Sequence, residues 1–95
     1  MPTIADGLAG NLEAESITFE LTRRYVDEVV VVAEEEIEEG MRFLWRHHEL
    51  VAEGAGATAV AALLAGRVRA TGTVVAVVTG RNVDEATLAR VLGGA

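Results

Sequence analysis

The sequence contains no lysine; all eight of its basic residues are arginine. It therefore offers no side-chain amine for imine chemistry. Cysteine is absent as well, which closes disulfide and thiolate-metal chemistry. Proline occurs once, and aromatic residues make up 4% of the chain. Positive charge is scarce overall. With a net charge of −7, nucleic acid and anionic membrane surfaces are poor partners, because both select basic patches. No apolar run approaches the roughly 20 residues of a membrane span. The opening MPTIADGLAG has no basic region followed by an apolar core, so it does not read as a signal peptide, and a cytoplasmic location is expected.

What is present points to a packed chain. Hydrophobic residues make up 51% of it, mostly alanine and valine, and 95 residues allow one small segment of marginal stability, residues 1–95. Residues 1–16 read as loop, punctuated by Gly7, Gly10 and Asn11. Ser16 can cap a helix from Ile17 to about Tyr25. Residues 28–32, EVVVV, and 73–78, TVVAVV, are short, β-branched and continuous, and read as strands buried on both faces. Between them, residues 34–48 place Ile37, Met41, Leu44, Trp45 and His48 at helical spacing, with Glu34, Glu35 and Glu36 in the first turn, where the helix dipole favours anions. Residues 57–65 suit a helix built from small residues and ended by Gly66. Asn82 or Asp84 can cap a last helix running to Leu92.

This order predicts an α/β fold: a partial parallel sheet of about two strands with flanking helices, joined by a right-handed crossover. Two strands make a poor sheet, so completion by missing sequence or by edge pairing in an oligomer is expected.

Few motifs carry chemistry. GAGATA, residues 54–59, matches a dinucleotide fingerprint, but neither a preceding strand nor a following acidic residue accompanies it. The adjacent His47 and His48 point to different helix faces and form no metal pair. The Glu34–Glu39 cluster reads as a solvated helix face, and no metal site is expected. The strongest candidate is residues 77–84, VVTGRNVD, a strand-to-helix turn with Gly80 at the corner and the Thr79 hydroxyl at the strand end, where ligands of open α/β sheets collect.

TIADGLAG, VDEVVVVAEEEI, LVAEGAGATAVAALLAG and VVAVVTGRNVD follow one another as in the C-terminal part of threonine/serine dehydratases. The chain resembles that family from Thr3 to Leu92. These are pyridoxal-phosphate enzymes of the tryptophan-synthase-β type (fold type II), and serine racemase is a close relative. The resemblance implies a piece of the large domain of such an enzyme, with pyridoxal phosphate as cofactor. It implies that Thr79 meets the pyridine nitrogen, that Gly7 packs on one face of the ring, that Glu53 lines the ring pocket, and that Gly80 belongs to the same cofactor-binding set. Ala9 and Gly10 would border the substrate, a small amino acid.

The family's Schiff-base lysine, its phosphate-cradling loop and its divalent-cation ligands would all lie upstream, so no catalytic or metal-binding residue is assigned here. Met1 falls inside the family's PT-ADG region, which favours a truncated chain. Arg81 stands in place of a glycine and has no assigned role. The expected activity is α,β-elimination of a hydroxy amino acid to a 2-oxo acid and ammonia. This chain would be inactive without a missing N-terminal part or a complementary subunit. The alternative is a non-catalytic α/β interaction module, perhaps a homo-oligomer.

Overall fold

The computed structural model describes residues 3–5 and 17–93. In chain order the elements are α1 (Ile17–Tyr25), α2 (Glu34–His48), a 3-10 turn (Ala55–Ala57), α3 (Thr58–Leu64) and α4 (Glu85–Leu92). The core lies where α2, α3 and α4 meet. Ile37, Met41 and Leu44 of α2 pack there with Ala52, Ala57, Val60 and Val91, and Ala5 joins them from the N-terminal segment. No residue of α1 is buried.

Local chemistry explains the helix ends. At the start of α2 the Ala33 N–H donates to Glu36 Oε1 at 2.7 Å, which satisfies one of the amides the helix leaves unpaired. The other end closes at Glu49, whose φ of 55° turns the chain out of the helix, while its N–H bonds back to the Leu44 and Trp45 carbonyls. Of the two expected caps for α4, Asp84 is the one used: its carboxylate accepts from the Thr87 N–H at 2.7 Å. Ser16 lies outside the described residues.

Gly40 sits mid-helix, at a cost of about 1 kcal/mol relative to alanine. Its reason is steric. A Cβ there would lie 3.1 Å from both the Ala57 carbonyl oxygen and the Ala61 nitrogen, so α2 and α3 touch backbone to backbone. Trp45 and His48, expected on the packed face, are exposed instead. The glutamates of α2 do more than face solvent. Glu36 pairs with Arg67 at 3.0 Å, Glu39 with Arg42 at 3.0 Å and Glu38 with Arg90 at 3.3 Å. Arg42 also donates to the Val91 carbonyl at 3.1 Å, near the C-terminal end of α4.

The expected α/β fold is not what forms. Among the described residues there is no strand and no sheet; regular structure is helical. Residues 28–32 and 73–78 have no ladder partner among the described residues. Sheet structure depends on hydrogen bonds to a neighbour, and β-branched composition alone does not supply one. Nor are the two stretches buried on both faces. Val31 is 83% exposed and Val75 is 85% exposed, and Val30, Val32, Val74, Val75 and Ala76 line an open groove of about 320 Å³ floored by α3.

Candidate functional site

The turn after residues 73–78 is locked against the start of the α3 region by two backbone hydrogen bonds. The Thr79 N–H donates to the Gly56 carbonyl at 3.3 Å, and the Glu53 N–H donates to the Gly80 carbonyl at 3.1 Å. Glycine makes both approaches possible. A Cβ on Gly56 would coincide with the Thr79 carbonyl oxygen. A Cβ on Gly80, whose φ of 74° already disfavours any side chain, would occupy the place of the Glu53 carboxylate. Gly54 abuts the Ile4 carbonyl in the same way. Three separate segments, around residues 4, 54 and 80, thus meet in one patch.

Thr79–Gly80 and Glu53 adjoin one another in the structure. The Thr79 side chain is exposed, and its hydroxyl makes no hydrogen bond among the described residues. Glu53 is half-buried, and its carboxylate lies against the Gly80 backbone. Gly7, Ala9 and Gly10 lie outside the described residues. Arg81 is exposed and forms no ion pair among them.

Beside the patch is a cavity of about 140 Å³, lined by Thr3, Ile4, Glu53, Gly54, Asn82 and Asp84 among others. Ligand pockets usually span roughly 300–1,000 Å³, so this one is too small for a cofactor with its substrate. Thr79 and Gly80 do not line it. No group of three or more His, Asp or Glu residues able to hold a metal occurs among the described residues, and His47 and His48 stand against the Phe43 ring.

The sequence marks one further residue of the neighbourhood only as part of a solvated helix face. Glu34, first in α2, reaches across to the N-terminal segment, where its Oε2 accepts from the Ile4 N–H at 3.0 Å. The Thr3 hydroxyl and then this Ile4 amide hold the carboxyl below its ordinary range, and Arg90 adds to the effect. The partners are 30 residues apart, so no local pattern announces the pair.

Comparison with known proteins gives this patch a context. Residues 1–80 match the family of pyridoxal-phosphate dependent enzymes, and the chain belongs to that family. Among its relatives, an L-threonine ammonia-lyase of Thermotoga maritima is 45% identical over 92 residues, covering 96% of this chain and 22% of that protein. A putative threonine dehydratase of Sinorhizobium fredii is 42% identical over 94 residues, covering 97% of this chain and 28% of that protein. The L-threonine dehydratase catabolic TdcB of Staphylococcus aureus is 42% identical over 95 residues, covering 96% and 26%. The chain thus spans about a quarter of the length of these curated relatives. No solved structure matches it. No helix among the described residues is long and apolar enough to cross a membrane.

The residues present fit pyridoxal phosphate as a non-covalent wall. Thr79 presents an exposed hydroxyl, unpaired among the described residues, and the next residue, Gly80, lies against the Glu53 carboxylate. Covalent attachment has no side chain to use, because lysine is absent.

Proposed function

We propose that this chain forms the cofactor-ring wall of a threonine/serine ammonia-lyase, with the lysine supplied by another segment or subunit. The observation that carries the reading is the interlock of Glu53–Gly56 with Thr79–Gly80 in a chain of this family. When bound, pyridoxal phosphate supplies the electron sink for loss of the α-proton and the β-hydroxyl of a small hydroxy amino acid.

The chain's own residues orient and tune. The Thr79 hydroxyl meets the pyridine nitrogen as a neutral partner and does not hold it protonated as a carboxylate would. That favours elimination over transamination. Glu53 lines the ring edge, and Gly80 keeps the wall flat enough for close approach. By the family resemblance Gly7 would cover one ring face, and Ala9 and Gly10 would border the substrate. The setting is cytoplasmic.

The test is reconstitution. The chain alone, given pyridoxal phosphate and L-threonine, is expected to release no 2-oxobutyrate. Addition of a polypeptide carrying the lysine and the phosphate-binding loop of a threonine dehydratase restores release, and Thr79→Val in that mixture lowers it at least tenfold. Steady turnover by the chain alone sinks the reading.

A second reading is a non-catalytic helical module that associates with its own copies. The exposed Val29, Val31, Val75 and Val77 favour it. Sedimentation distinguishes the two: a stable, compact dimer that ignores the lysine-bearing segment supports this second reading.

A further inference from the structure

The two walls of the apolar groove are rooted in two helix ends. One wall, residues 28–32, runs straight into Ala33, the residue before α2, and its Val30 and Val32 line the groove. The other leaves the end of α3 at Arg67, whose N–H donates to the Ala62 carbonyl at 2.9 Å, and it contributes Val68, Val74 and Ala76. Among the described residues no hydrogen bond joins wall to wall. Their roots, however, share one carboxylate. Glu36 Oε1 accepts from the Ala33 N–H at 2.7 Å. The same carboxylate takes the Arg67 guanidinium on both oxygens, with Nε at 3.2 and 3.1 Å and Nη2 at 3.0 Å. Val32 and Val68, the chain neighbours of the two groups held, both line the groove.

We infer that the Glu36–Arg67 pair is a clasp that sets the width of the groove: it ties the root of one wall to the root of the other across α2 and α3. The inference goes beyond the proposed function and does not rest on it. The helices touch backbone to backbone at Gly40, about one helical turn along α2 from Glu36. That contact serves as the pivot, and the clasp holds the ends that would swing about it. Arginine suits the task, because its planar fork meets both carboxylate oxygens at once and so fixes direction as well as distance. The pair is also releasable. The Arg67 side chain is 50% exposed, and ion pairs open to solvent are weak and screened by salt. Glu39, on the same helix, is engaged by Arg42 and does not compete for Arg67.

The test reads the separation of the walls directly. The chain has no cysteine, so Val29→Cys and Val77→Cys give two unique attachment points for spin labels. Both positions are exposed and neither lines the groove. Labelled chain is mixed with an excess of its unlabelled counterpart, so that pulsed electron resonance reads distances within one chain. Arg67→Met cuts the clasp and leaves the Ala33–Glu36 bond in place. It should raise the share of chains at longer separation roughly two- to fivefold, the range for an exposed ion pair. Exchange of the Ala33, Met41 and Leu44 amides should stay as in the parent chain. An unchanged distance distribution overturns the clasp. So does a broadening accompanied by lost protection at Met41 and Leu44, which would mark general loosening.

Arg67→Lys keeps the charge and loses the fork, so an intermediate distribution is expected; lysine behaving like methionine would show that the cation contributes nothing. Salt supplies a readout that mere packing does not produce. Raising sodium chloride should broaden the distribution of the parent chain and leave that of Arg67→Met where it is. An equal response of the two chains to salt overturns the clasp.

Discussion

At the residue scale the patch depends on absent side chains. Gly56 and Gly72 make the point by contrast. Gly56 lies where a Cβ would coincide with the Thr79 carbonyl oxygen, whereas Gly72 has a φ of 70° and nothing within 4 Å. Gly56→Ala must therefore push the Thr79 turn away. Forcing extra volume into a packed site costs about 1–3 kcal/mol, and here the obstacle is backbone, so the upper part of that range is expected. The Thr79 amide should lose its exchange protection with it. Gly72→Ala carries only the penalty of a left-handed alanine, about 1–2 kcal/mol, and should leave the Thr79 amide protected. Denaturant midpoints and exchange at Thr79 check the pair; equal behaviour of the two variants would show that the interlock is unimportant. Pattern reading could mark Gly56 and Gly80 as special, since glycines in a turn carry a physical meaning. It could not reveal that each faces a segment more than 20 residues away.

At the element scale the helices were legible and the supposed strands were not. The bounds expected for α1 and α2, residues 17–25 and 34–48, are those observed. Helices close their hydrogen bonds locally, so spacing and caps carry the information. Residues 28–32 and 73–78 have strand composition, but a strand is completed by a neighbour that no local window contains. Helix ends also offer sharper tests. Glu49 holds a left-handed φ of 55° without being glycine. Glycine there removes about 1–2 kcal/mol of strain but gives the unfolded chain more freedom, worth about 0.5–1 kcal/mol. Glu49→Gly should thus stabilise the fold by up to about 1 kcal/mol, seen as a higher denaturation midpoint; a lower midpoint would show that the Glu49 conformation is unstrained.

Acid should act on the same scale. Glu36 is held below the ordinary carboxylate range chiefly by the Ala33 N–H and then by Arg67, Asp84 chiefly by the Thr87 N–H, and Glu34 chiefly by the Thr3 hydroxyl. A group whose pKa is lower in the folded than in the unfolded state contributes stability above its unfolded pKa and loses it as pH falls through the folded one. Helicity should therefore hold at neutral pH and decline below about pH 4. Circular dichroism of Asp84→Asn and Glu36→Gln should show a shallower decline than the wild type, and an identical acid profile would remove these caps from the account.

At the scale of the whole molecule two opposing forces meet. A net charge of −7 on 95 residues repels like chains, while Val29, Val31, Val75 and Val77 face solvent around an apolar groove. Neighbouring exposed apolar side chains favour contact with another surface, at about 25 cal/mol for each Å² covered. Charge repulsion between surfaces is screened by salt, with a Debye length falling from about 30 Å at 0.01 M to about 8 Å at 0.15 M. Burial of valine is not weakened by the same change. Self-association of the isolated chain should therefore strengthen as sodium chloride is raised, opposite to the behaviour of an assembly held by ion pairs. Val75→Lys places a charge on the most exposed of these valines, so it should lower the association constant at every salt concentration and leave helical circular dichroism unchanged, since residue 75 lies in no helix. Sedimentation velocity over a salt series measures both effects. Association that weakens with salt, or that is indifferent to Val75→Lys, would show that the valine surface is not what brings chains together.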